Sequence, residues 1–181
     1  IENAILAAQD IVFLGERGQA KTRLARLLVE LLDDWLPVVR DGELNDDPFA
    51  LLVGMLLDQQ YPMEHAFSGP LKIANRMDGF DLQKIAATDL DTFVELCVTP
   101  PAIHRYGRSM AGRVQAVAQV VTDQYDGHAE RLWTDAISGA DLLARVMALP
   151  GFGKQKAQIF VALLAKRLDV RPEGWEQAVG D

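Results

Sequence analysis

Two glycines one residue apart, Gly151 and Gly153, follow Leu149-Pro150 and run into a segment that opens with Lys154, Gln155 and Lys156. Glycine has no Cβ, so both positions can take up positive φ and let another backbone approach closely. Pro150 lacks an N–H and restricts the residue before it, which ends the preceding helix. The turn then points backbone amides outward at a helix N-terminus, where the aligned peptide dipoles favour an anion. A phosphate suits such a turn; an ordinary Pro-Gly connection between two helices is the alternative.

Near the start, Gly15-Glu16-Arg17-Gly18-Gln19-Ala20-Lys21-Thr22 follows the apolar run 10–14 and opens the amphipathic stretch 22–35. A loop of this kind wraps amides around nucleotide phosphates, with Lys21 adding charge and Thr22 meeting magnesium. Residues 10–48 resemble the beginning of a magnesium-chelatase-type AAA+ ATPase, with Ala20 where that pattern has a second glycine. Hydrolysis also needs a second strand bearing a magnesium-binding acid, and none follows Pro48. The segment therefore reads as an appendage, and an ATP-binding fragment with Gly15, Gly18, Lys21 and Thr22 as its ligands is the outlying alternative.

The elements that must position these residues fall into two regions: an appendage, 1–47, and an all-α domain, 48–181. The appendage holds the strand 10–14, the helix 22–35 and a polar stretch, 41–47. In the second region helices are expected over 49–60, 64–76 with a break near Gly69-Pro70, 82–87, 90–96, 109–125, 129–133, 141–149 and 155–168. Asp81 and Asp89 are of N-cap type before two of them. Leu51, Leu52, Met55 and Leu56 face a core from the first, and Met110, Val114, Val117, Val120 and Val121 from the longest.

Composition sets limits. The 181 residues are 49% hydrophobic and 24% charged, as in a globular protein long enough to bury a core. One cysteine, Cys97, rules out an internal disulfide, a Cys-ligated iron–sulfur cluster and a thiolate zinc site within this chain. No apolar run reaches the roughly 18 residues of a membrane span, and no leader pattern opens the chain. The expected setting is the cytoplasm, with the nucleoid as its address in a bacterium and no obligate protein partner. The net charge of −8 argues against a general nucleic-acid binder. The basic residues are grouped, however: His104, Arg105, Arg108 and Arg113 over 101–113, and Lys154, Lys156, Lys166 and Arg167 over 151–167, both without an acid. Such a face on an acidic body still steers toward DNA.

Three landmarks occur in order: Asp47-Pro48-Phe49-Ala50-Leu51-Leu52 running to Leu57-Asp58-Gln59-Gln60, then Pro100-Pro101-Ala102-Ile103-His104-Arg105, then the turn at 149–157. With them, residues 47–181 resemble the helix-hairpin-helix–Gly/Pro/Asp superfamily of base-excision DNA glycosylases, and most of all a small actinobacterial-type branch of it. The resemblance implies an all-α glycosylase-like domain acting on duplex DNA. Gly151, Gly153 and Lys154 would bind a phosphate, with Lys156 adding charge and a monovalent cation held by the carbonyls of Leu149 and Gly151. Gln59 or Gln60 would enter the duplex and replace partners lost when a base leaves the stack, and Arg105 would contact DNA. His104 fits either a phosphate contact or a hydrogen-bonded structural role, and Tyr61 and Trp175 could stack on a base or belong to the core.

The spelling departs from the superfamily where the chemistry sits. Gln155 stands where lyase members place a lysine, and Lys156 comes one residue, about 100° of helix, later. Lyase activity is therefore not expected. The usual Val-Asp pair is replaced by Val170-Arg171-Pro172-Glu173-Gly174-Trp175, leaving Glu173 as the candidate carboxylate and Asp169 as a poorer one. The expected function is a monofunctional glycosylase hydrolysing the N-glycosidic bond of a damaged or mispaired base. A non-catalytic helix-hairpin-helix DNA-binding module is the alternative.

Overall fold

The computed structural model describes residue 44 and residues 46–180, all within the second of the two units into which the chain divides, Val38–Asp181. The expected strand, phosphate loop (Gly15, Gly18, Lys21, Thr22) and helix of the appendage lie outside the described residues.

The described residues form an all-α fold of ten helices. Asp47 starts α1 (Pro48–Leu57): its Oδ1 accepts from Ala50 N at 2.8 Å, and Pro48 takes the first turn, where no N–H is needed. Eight of the ten α1 residues are buried, because this helix is packed on several sides. The expected break at Gly69-Pro70 separates α2 (Met63–Phe67) from α3 (Gly69–Met77). Gly69 packs closely there: a Cβ would stand 2.2 Å from Leu57 Cδ1 and push that side chain aside.

Both expected aspartate caps form. Asp81 receives Lys84 N at 3.0 Å before α4 (Leu82–Ala87), and Asp89 receives Thr92 N at 3.1 Å before α5 (Leu90–Val98). These two helices pack on α6 (Gly107–Tyr125), whose Met110, Val114, Val117 and Val121 are buried. The short α7 (Arg131–Thr134) leads to α8 (Gly139–Met147), capped by Ser138, and then through the glycine turn to α9 (Lys154–Arg167).

One element was not foreseen. Residues 175–179 form α10 (Trp175–Val179), which packs on α8 and α9. Its Pro-Glu-Gly approach reads as a turn, and five residues are too few to display a helical period. The approach is close: a Cβ on Gly139 would stand 2.4 Å from Trp175 Cα.

The core runs from α1 through α6 to α9 as a single apolar cluster, with Phe93, Phe160, Leu56, Leu132 and Leu164 fully buried. Cys97 lies in it, and burial pushes its thiol up to about 12.

Candidate functional site

The turn between α8 and α9 is a plug with an open rim. Phe152 is buried and meets Phe160 edge-on, with ring centroids 6.0 Å apart. Phe152 N donates to Leu149 O at 3.1 Å and closes the turn. Gly151 takes φ 86°, and a Cβ there would come within 2.7 Å of Leu56 Cδ1. Gly153 does not take the positive φ expected of it: it is the N-cap of α9 at φ −76°, in extended backbone. A Cβ on Gly153 would meet nothing within 4 Å. Packing thus requires glycine at 151 and not at 153. Unlike α1, α4, α5 and α8, α9 has no side chain bonded to its first amides; nor has it an acid in its first turn. Gly153, Lys154 and Gln155 are exposed.

The turn leans on the C-terminus of α1, where each backbone carbonyl can be accounted for. A helix end leaves its last carbonyls without intrahelical donors. Met55 O accepts from Lys156 Nζ at 2.8 Å, and Asp58 O accepts from the same ammonium. Leu56 O accepts from Gln59 Nε2 at 2.9 Å, and Leu57 O from Gln59 N at 2.8 Å. Gln59 O is met by His104 Nε2 at 3.1 Å. Residues from three distant stretches, near 59, 104 and 156, therefore close one helix end.

Lys156 is half-buried by this service. Burial, helped by the nearby Arg113 charge, pushes its ammonium down from 10.5 to about 8, against the opposing pull of Asp58. His104 is 1% exposed and is fixed in one tautomer. Tyr106 N donates to its Nδ1 at 3.0 Å, so Nδ1 carries a lone pair and Nε2 carries the proton given to Gln59 O. Burial holds its pKa below the ordinary histidine value. Of the two roles open to His104, the structure gives the hydrogen-bonded structural one.

The two glutamines differ. Gln59 turns inward: its Nε2 also donates to Gly151 O at 3.3 Å, and its Oε1 accepts from Arg113 Nη1 at 2.9 Å. Gln60 turns outward, exposed and at φ 53°, a left-handed conformation uncommon for a residue with a side chain. Its Oε1 accepts from Arg105 Nη2 at 2.8 Å, and the Arg105 guanidinium lies 4.7 Å above the Tyr106 ring, which is 53% exposed. Tyr61 is partly buried and packs on His104 at 4.5 Å between centroids.

The loop carrying His104 and Arg105 is anchored from α3. Arg76 donates to Leu96 O at 2.6 Å and Pro101 O at 2.7 Å, and Lys72 to Ala102 O at 3.2 Å. A cis peptide joins Pro100 to Pro101.

The structure thus gathers Gly151, Gly153, Lys154, Lys156, Gln59, Gln60 and Arg105, and adds Arg113 and Tyr106, which sequence reasoning had not placed in the site. Glu173 is not gathered with them. Its carbonyl accepts from Gly139 N at 2.8 Å, at the start of α8, while the glycine turn follows the other end of that helix. The nine residues of α8 span about 13 Å. Asp169, at φ 55°, is paired with Arg171 at 3.1 Å beyond the far end of α9. Trp175 opens α10 and is partly buried.

The two carbonyls expected to hold a monovalent cation each already accept a hydrogen bond within the protein. Gly151 O already receives the Gln59 amide, and Leu149 O receives Phe152 N. The Arg113 side chain lies alongside the turn, its Cδ 3.3 Å from where a Gly151 Cβ would stand. Among the described residues, no group of three or more His, Cys, Asp or Glu comes together that could hold a metal ion, and no helix is long and apolar enough to cross a membrane.

No family model matches the chain, and no curated protein matches it. Among solved structures, the fold is similar to that in a trapped endonuclease III–DNA covalent intermediate, an estranged-adenine complex, with a TM-score of 0.55 at 16% sequence identity. The match covers 87% of this chain and 62% of that one, so this chain spans under two thirds of its length. The all-α architecture expected from the three landmarks is therefore observed, and its fold is like that of the endonuclease III structure.

Proposed function

We propose that this protein binds duplex DNA through the α8–α9 turn and Gln60 and acts as a monofunctional base-excision glycosylase of the small branch its landmarks resemble. The observation that carries the proposal is the meeting of the turn, Gln60 and the Arg105–Tyr106 pair at one end of α1. The uncapped amides of Gly153 and Lys154, with the exposed Lys154 ammonium, take a backbone phosphate. Gln60 enters the stack, its amide offering both a donor and an acceptor to the base left behind. Tyr106, braced by Arg105, supplies an exposed ring on which a neighbouring base can stack. Lys156 shapes this surface by closing α1 and is not assigned a direct phosphate contact.

Hydrolysis of an N-glycosidic bond passes through an electron-poor sugar and needs a nearby carboxylate. We assign that place to Asp58, directly before the two glutamines, whose charge already acts on Lys156. Glu173 is withdrawn from the role because it stands at the other end of α8. The same position of Glu173 favours the second reading, a non-catalytic DNA-binding module.

A panel of duplexes carrying different base lesions and mispairs tests both. Glycosylase action predicts abasic-site formation on one of them, lost in Asp58→Asn and kept in Glu173→Gln. Binding without abasic sites on any duplex would leave the binding module. Unchanged affinity in Lys154→Glu would overturn the assignment of the turn.

A further inference from the structure

The carbonyl of Gly151, one of the two expected to hold a monovalent cation, is engaged from within the protein. Gly151 O points at Gln59 Nε2, 3.3 Å away, and the same amide group is held from its other side by Arg113 Nη1 on Gln59 Oε1 at 2.9 Å. Gln59 Nε2 is shared with Leu56 O at 2.9 Å, so the amide is pinned at all three contacts. The chain α6–Arg113–Gln59–Gly151 thus ends on the carbonyl that an ion would use, with a guanidinium behind it. A free cation placed there would have to share the carbonyl with the Gln59 amide and face the charges of Arg113 and Lys156, whose mutual influence is already felt in the lowered Lys156 ammonium.

We infer that Gln59 and Arg113 are positioning residues that replace the monovalent ion: they preform the turn from within, so that its phosphate grip is indifferent to the monovalent cation in solution. The grip itself rests on the function proposed above, whereas the preformed turn does not. The inference gives Gln59 a role distinct from that of Gln60, although the two are adjacent in sequence. It also explains why Arg113, a partly buried cation, is spent on a neutral amide.

Gln59→Glu is the decisive variant. A glutamate keeps the length and the acceptor that Arg113 uses but cannot donate to Gly151 O. It sets a carboxylate oxygen against that carbonyl, a pair that attracts a small cation. The thermal midpoint of the free protein and its affinity for a fluorescent duplex are measured in potassium, sodium and tetramethylammonium chloride at equal ionic strength. Tetramethylammonium cannot be ligated by carbonyls. The wild type is expected to show the same affinity in all three salts, within about twofold, and no saturable rise of the midpoint as potassium or sodium replaces tetramethylammonium. Gln59→Glu is expected to lose about tenfold in affinity in tetramethylammonium, the scale of one neutral hydrogen bond lost. Potassium or sodium should restore much of the loss and raise the midpoint.

A wild-type midpoint that rises saturably as potassium or sodium replaces tetramethylammonium would overturn the inference. So would a Gln59→Glu loss equal in all three salts. If Gln59→Glu does not fold, Gln59→Met, which removes the donor without adding charge, and the wild-type salt series together carry the test. If the wild type binds no duplex in any salt, the proposed function fails, while the midpoints of the free protein still judge the preformed turn.

Discussion

Replacing Lys156 by methionine keeps most of the aliphatic stem and removes the ammonium that closes α1. Two carbonyls, Met55 O and Asp58 O, lose their donor. Leaving part-buried acceptors unsatisfied costs about 1–3 kcal/mol at neutral pH. The pH dependence is the sharper quantity. In the folded protein Lys156 titrates at about 8, against 10.5 when free. Between those values the unfolded chain holds a proton that the folded one has released, so this lysine makes stability rise with pH across that window. Each pH unit is worth about 1.4 kcal/mol, so the full separation would be roughly 3 kcal/mol. Part of the side chain stays in water, which screens the effect, and about 1–2 kcal/mol is expected. Cys97 acts in the opposite sense, since its thiol is raised from 9.0 to about 12 and the unfolded chain loses that proton first. Cys97 is present in both proteins and cancels in the difference. Urea unfolding of wild type and Lys156→Met at intervals from pH 7 to 10.5 should show the wild-type advantage widening above pH 8. A constant gap would mean that Lys156 is open to solvent, and the closure of α1 by the turn would be wrong; a shrinking gap would mean that the carbonyls favour the ammonium more than burial disfavours it, which would refute the lowered value.

Gly151→Ala and Gly153→Ala should separate cleanly. The first forces a side chain into φ 86° against Leu56 and should cost about 2–3 kcal/mol. The second enters open space at ordinary φ and should cost less than about 1 kcal/mol, measured in urea, while still weakening duplex binding. His104→Phe should remove an acid sensitivity. The folded pKa lies below the ordinary 6.5, so the unfolded chain takes up the proton first and wild-type stability falls as pH drops through 6.5. The Phe variant should start less stable at pH 7.5 and lose less between pH 7 and 5; an equal loss in both would refute the fixed tautomer.

Much of this fold was readable from residue order because its signals are local. Asp81 and Asp89 announce helix starts by bonding amides three residues on, and the double proline and Gly69-Pro70 mark breaks for steric reasons. The three landmarks named the architecture. What could not be read were long-range pairings with no period or spacing to reveal them. Lys156 reaches carbonyls about a hundred positions earlier, and Arg113 reaches Gln59 across 54. Both look in the sequence like solvated helix charges. Glu173 misled for the opposite reason: its place after the hairpin suited a catalytic acid, but α9 runs to Arg167 and the chain then turns to α8's far end. The turn at Gly174 and the short α10 settle that path, and neither has a strong sequence signature.

The internal use of basic residues bears on how the site should bind. Of the grouped cations, Lys156 is committed to α1, Arg113 to Gln59, Arg105 to Gln60 and Arg108 to Asp91 at 3.4 Å. Lys166 and Arg167 stand in the last turn of α9, fourteen residues long and so about 20 Å from the turn. Lys154 is the cation left directly at the uncapped amides. A phosphate held chiefly by backbone dipoles and one lysine releases few counterions, whatever the depth of the other contacts. The logarithm of duplex affinity should therefore fall with the logarithm of salt at a slope of about −1 to −3, and Lys154→Ala should reduce it by about one. A slope steeper than about −6 would mean that a broad basic surface binds the duplex. Given a net charge of −8, such a surface would have to be built from residues other than those gathered here. A shallow slope with measurable affinity would instead place the binding where the geometry puts it, at the turn and the outward glutamine.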